Sequence, residues 1–211
     1  MVALTSVLSD DSLLSRADRA LYSLEKKLAL LSGLAVLSLM VLAVLSVGGR
    51  NLFNQPLPGY VDWIEQIMPL IAFMGISYTQ RDGGHIRMDM LVGKLHGRGL
   101  WLVEFLGVLT MLVLMMLLVW GSWAHFERSF DFSATLWSRD SSMDIAIPLW
   151  PAKLLAPVAF SVLCLRLFIQ LIAYGKAFKD NSDRPVAVPR IQDIATQAAA
   201  EAEIVSGEED K

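Results

Sequence analysis

Residues 81–91, RDGGHIRMDML, hold two arginines, two aspartates, two glycines and a histidine directly after a long apolar stretch that ends at Gln80. A histidine beside carboxylates is the starting material of a metal centre or of acid–base catalysis. Either chemistry needs companions. The other histidines, His96 and His125, fall in loops or at the ends of apolar runs, and no His/Glu spacing forms a ligand set. Haem in a helical bundle takes histidines that project from within the helices, and none is placed that way. Cys164 is the single cysteine and sits in an apolar run, so it is read as a small apolar filler, with neither an internal disulfide nor a thiolate site. No glycine-rich phosphate loop and no GxSxG turn occurs. The residues therefore point to no enzyme and to no cofactor or metal.

The ionisable groups left inside or at the edges of apolar runs are Glu65, Glu104, Lys153 and Arg166. Their setting follows from composition. Hydrophobic residues make up 55% of the chain and charged residues 18%, and mean hydropathy is +0.50. The charges come in blocks between uncharged runs, the pattern of an all-α integral membrane protein. A net charge of −3 argues against a nucleic-acid partner. A crossing needs about 20 apolar residues. Four segments satisfy this, at about 28–47, 61–80, 101–123 and 145–174. They define a four-span membrane domain over 28–175, preceded by an amphipathic segment, 1–27, and followed by a polar tail, 176–211, expected to be disordered beyond Pro185. In the amphipathic segment Leu13, Leu14, Ala17, Leu21, Leu24 and Leu28 share one helical face, the signature of a helix lying on the membrane.

Orientation follows from lysine and arginine in short connections. Arg16, Arg19, Lys26 and Lys27 precede the first span; Arg81, Arg87, Lys94 and Arg98 lie between the second and third; Lys176, Lys179, Arg184 and Arg190 follow the fourth. The opposite side holds only Arg50, Arg128, Arg139 and, near its edge, Lys153. Both termini are expected in the cytoplasm.

Within the second span Glu65, Met68, Ala72, Gly75 and Thr79 follow a 3-4 spacing. This narrow face of small residues suits close helix packing, and Glu65 either reaches water at the interface or contacts a neighbouring helix or subunit. On the fourth span Ala152, Ala156, Ala159, Arg166 and Ala173 share a face. Arg166 either snorkels to the headgroups or pairs with a carboxylate elsewhere, Glu104 being a candidate at similar depth. Lys153 is expected to snorkel outward. A charge near the centre of a span costs roughly 2.5–3.5 kcal/mol on insertion scales, so groups this sparse do not line a substrate path. Inverted repeats and broken helices, the usual signs of a transporter core, are missing from the sequence.

The opening stretch thus becomes a cytoplasmic elbow, 81–99. Gly83 and Gly84 permit the turn, and Ile86, Met90, Leu91 and Leu95 form one face of a short amphipathic helix on the lipid headgroups. This element, with Glu65, "AFMGISYTQR" upstream and "SMDIAIPLWPAKLLAPVAF" downstream, resembles the small membrane subunit, the DctQ family, of tripartite ATP-independent periplasmic (TRAP) transporters. The likeness covers roughly residues 20–175, with Met88 standing where valine is commoner. It implies a large permease subunit as partner, a periplasmic binding protein that delivers an organic acid or similar solute, sodium-driven symport, and a place in the bacterial inner membrane. It also implies structural or subunit-interface roles, not catalytic ones, for Arg81, His85, Arg87 and Asp89, beside Glu65, Gly75, Glu104 and Arg166. Two other readings stay open: the membrane anchor of a respiratory enzyme, and a self-associating four-span channel or exporter.

Overall fold

The computed structural model describes residues 12–55, 57–81, 98–180 and 188. The elbow residues His85, Arg87 and Asp89 and nearly all of the polar tail lie outside them. Five α-helices and one 3-10 turn make up the described chain: α1 Leu13–Phe53, α2 Tyr60–Met74, α3 Ile76–Arg81, α4 Arg98–Ser129, the turn Thr135–Trp137, and α5 Trp150–Asp180.

Helix α1 begins where Ser12 caps it, its side chain accepting from the Ser15 amide at 3.2 Å. It ends at Asn54, whose left-handed backbone (φ 54°) lets the amide return to the Gly49 carbonyl. Nothing interrupts it between, so the amphipathic N-terminal segment and the first expected span are one helix of 41 residues. On its apolar N-terminal face Leu13 and Leu24 are exposed and Leu14 packs on the core, while Ser15, Asp18 and Glu25 are buried.

Three helices, α1, α4 and α5, are long and apolar enough to cross a membrane. The expected crossing at 61–80 is instead split at Gly75 into α2 and α3. The break follows from how the last turn of α2 uses its hydrogen bonds. The Ile71 carbonyl accepts from the Ser32 hydroxyl of α1 at 3.1 Å, while the Gly75 amide turns to Phe73.

Helix α5 is the hub and touches each of the others, with α4 packed along it. Leu163 and Leu167 of α5 are fully buried against Val108 and Leu112 of α4. At one end of this pair Trp101 packs on Tyr174 with ring centroids 6.1 Å apart. Val188, from the tail expected to be disordered, is buried in the same cluster. Ala152, Ala159, Arg166 and Ala173 are buried along α5, as the small-residue spacing predicts.

Candidate functional site: a buried charge network

Four charged side chains meet where α1, α3 and α5 converge. Arg166 grips Glu25 with two prongs, Nε to Oε1 at 2.7 Å and Nη2 to Oε2 at 2.5 Å. Its Nη1 donates to Asp18 Oδ1. Arg81 takes the other side of Asp18, with Nη2 donating to Oδ2 at 2.9 Å and Nε to Oδ1 at 3.3 Å. The Arg81 guanidinium carbon also lies 3.9 Å from the centroid of the Tyr22 ring, a cation–π contact. Ser77 donates to Glu25 Oε1 at 2.5 Å. Beside them Gln80 Nε2 donates to Gln170 Oε1 at 2.9 Å, and Gln170 returns a bond to the Gln80 carbonyl.

Arg166 and Glu25 are 0% exposed and Asp18 is 1% exposed. Among the described residues two guanidinium groups face two carboxylates, so their formal charges balance. Planar forks matched to carboxylates are the geometry that makes a desolvated ion pair tolerable. Arg166 lies 16 residues into α5 from Trp150, about 24 Å along the axis. The network therefore meets the 31-residue α5 near its midpoint, α1 near its start and α3 at its last residue.

The end of the bundle at which α5 begins carries a second set of ties. Asp62 at the start of α2 accepts from the Ser142 hydroxyl at 2.6 Å and from the amides of Ile145 and Asp144 at 2.8 and 3.1 Å. Gln66 donates to the Pro148 carbonyl at 2.6 Å. Lys153 donates to Asp140 at 2.6 Å and to the Ser129 hydroxyl at 3.0 Å, so it is held by α4 and the connector and does not snorkel. The Lys153 and Ser129 hydrogen bonds keep the Asp140 carboxyl below the usual carboxylate range. Within the connector, hydrogen bonds from Ser133 and then from Arg139 lower Asp131 to about 2.

Arg81 and Arg166, expected separately, are joined through the shared Asp18 carboxylate. Arg166 pairs with α1, and Glu104, half-buried on α4, is not among its partners. Glu65 is exposed, as are Met68, Ala72 and Thr79. The stripe that begins at Glu65 therefore points away from this chain's own bundle. A Cβ added at Gly75 would meet nothing within 4 Å. Sequence reasoning missed Asp18, Glu25 and Asp62. The signal for the first two was the spacing Ser15, Asp18, Tyr22, Glu25, a polar face opposite the leucines that reads equally well as solvated.

No buried side-chain nitrogen or oxygen among the described residues lacks a hydrogen-bond partner, and among these residues no group of three or more His, Cys, Asp or Glu could hold a metal ion. The network is a clasp that ties three helices, its buried side-chain atoms hydrogen-bonded within the chain. The family described as tripartite ATP-independent periplasmic transporters, DctQ component, matches residues 39–174. The chain belongs to the DctQ family. Curated proteins offer no match. A DctQ member is a component of a TRAP transporter and not an enzyme, and its system includes a large permease subunit and a periplasmic binding protein. Arg81 and Arg166 lie within the matched stretch, whereas Asp18 and Glu25 precede it.

Proposed function

We propose that this DctQ chain is the scaffold of its transporter: a four-span subunit of the bacterial inner membrane, with both termini in the cytoplasm, that holds the large permease subunit in place. In this reading α2 and α3 together form the fourth crossing. Residues 60–81 span about 33 Å at 1.5 Å per residue, enough for roughly 30 Å of hydrocarbon. The large subunit carries an organic acid or similar solute with sodium after a periplasmic binding protein delivers it.

The observation that carries the scaffold role is the charge-balanced network that Asp18, Glu25, Arg81 and Arg166 form among the described residues. A transport path needs polar groups that face a route and exchange partners. Here the buried charges are spent on one another and tie three helices into a fixed unit. The outward stripe of Glu65, Met68, Ala72, Gly75 and Thr79 supplies a face on which another helix can pack closely.

Co-purification with the large subunit tests this. Gly75→Trp fills open space and leaves the melting of the isolated chain unchanged, but it lowers recovery of the complex by roughly tenfold, about 1.4 kcal/mol. Full recovery with Gly75→Trp would move the contact elsewhere. Solute uptake by proteoliposomes holding this chain alone would overturn the scaffold role itself.

A further inference from the structure

The connector between α4 and α5, residues 130–149, presents a surface ill suited to water. Phe132 is 80% exposed, Leu136 65% and Trp137 54%. Leu136 and Trp137 both hold left-handed backbone, with φ of 56° and 58°, a conformation that bulky side chains disfavour. Such outliers persist only where the surroundings enforce them, and here they do. The Trp137 carbonyl accepts from the Asp131 amide at 3.1 Å, and the Trp137 amide donates to Ala134 at 3.0 Å. Trp150 Nε1 donates to the Leu136 carbonyl at 3.1 Å. Beneath the tip the rings of Phe132 and Trp150 pack on Phe130, with centroids 4.8 and 5.5 Å away. The apolar tip is thus held out rigidly.

Its level is marked by the helices. Trp123 near the end of α4 packs on Phe126 at 5.4 Å, Phe126 packs on Phe130, and Trp150 opens α5. Trp120, one turn before Trp123, is exposed. Indole rings at the ends of spanning helices settle at the headgroup boundary, and ring contacts through Phe126 and Phe130 tie the tip to this level. Two cations beside the tip are paired within the connector and its helices, Arg139 with Asp131 at 3.0 Å and Lys153 with Asp140 at 2.6 Å, so the apolar tip side chains are the principal groups offered to the membrane.

We propose that residues 130–149 form an interfacial anchor, with Phe132, Leu136 and Trp137 immersed in the headgroup–acyl boundary of the leaflet at the α4–α5 end and covered by lipid. The exposed indoles Trp120 and Trp123 on α4, joined to the tip through the buried Phe126 and half-buried Phe130, place the tip beside a lipid-facing helix surface and favour lipid over a protein partner. The proposal goes beyond the scaffold role and holds for either orientation of the chain.

The test uses the complex with the large permease subunit in phosphatidylcholine nanodiscs. Spin labels are placed at Phe132→Cys and Leu136→Cys, with Ser141→Cys as the reference, all in a Cys164→Ser background. The tip labels are expected to be relaxed by oxygen and several-fold less by a water-soluble nickel complex, the order reversing at Ser141. Adding phosphatidylglycerol leaves the ratio unchanged. Nickel access at the tip would overturn the anchor, and loss of access to both reagents would assign the tip to a protein partner and overturn it equally. Should the labelled variants fail to fold, brominated phosphatidylcholine offers a second measurement. Wild type loses more tryptophan emission than Trp137→Phe if Trp137 is immersed, and equal losses would overturn the proposal.

Discussion

Arg166 shows how one side chain sets the terms for several others. Two carboxylates of α1 depend on it, and removal leaves a buried cluster with one cation against two anions. Breaking a buried pair from one side costs about 3–5 kcal/mol. Arg166→Ala should therefore abolish most monodisperse protein after detergent extraction, with Arg166→Lys intermediate because a single ammonium cannot fill the two-pronged grip on Glu25. Arg166→Ala combined with Glu25→Gln restores a balanced Arg81–Asp18 pair and should recover much of the loss, a coupling that a double-mutant cycle reads directly. Asp131, in the connector, makes a pH-dependent contribution. Its folded pKa of about 2 lies below the ordinary 3.8, so its stabilisation is fully present above about pH 4 and fades as pH falls toward 2. The difference in unfolding midpoint between wild type and Asp131→Asn should stay flat at neutral pH and shrink below about pH 4.

At the scale of elements, α1 reverses the expected amphipathic order. Leu13 and Leu24 face outward, Leu14 packs on the core, and the polar stripe faces inward because Arg81 and Arg166 wait there. The helix is held by charge at this end and by Ala35 and Ser46 further along. The junction ahead of α2 depends on one backbone conformation. Gly59 has φ of 70°, and a Cβ there would lie 2.7 Å from Ile145 Cγ1. Left-handed backbone costs a non-glycine residue roughly 1–2 kcal/mol, and the clash pushes Ile145 off the loop that Asp62 pins. Gly59→Ala should lower the thermal midpoint, whereas Gly107→Ala, with nothing within 4 Å, should leave it unchanged or raise it slightly. Equal midpoints for the two variants would remove the argument for Gly59.

For the whole molecule, α5 is the mast to which the other helices are tied at two levels: Arg166 and Gln170 about its middle, Lys153 and Trp150 at its start. This places the start of α1 and the end of α3 beside the middle of α5, and the connector 130–149 at the helix's start. The proposed orientation, with both termini cytoplasmic, is tested by a membrane-impermeant thiol reagent added to intact cells, which should label Ser141→Cys and spare Lys179→Cys in a Cys164→Ser background. Labelling in the reverse pattern would invert the topology.

The sequence alone reached the membrane class, three of the long apolar helices, the small-residue face of α5 and the family resemblance. These rest on local composition and spacing, and hydrocarbon imposes them residue by residue. It also singled out Arg81 and Arg166, because a charge within or beside an apolar run is conspicuous. It could not supply their partners. Asp18 and Glu25 stand in a segment rich in polar residues, where a carboxylate attracts no notice, and they lie 63 and 141 residues from the arginines they meet. Only the packing of α1 against α3 and α5 removes those carboxylates from water and turns four ordinary charges into one charge-balanced clasp. Pairing over such separations depends on how helices dock, which periodicity along a single helix does not encode.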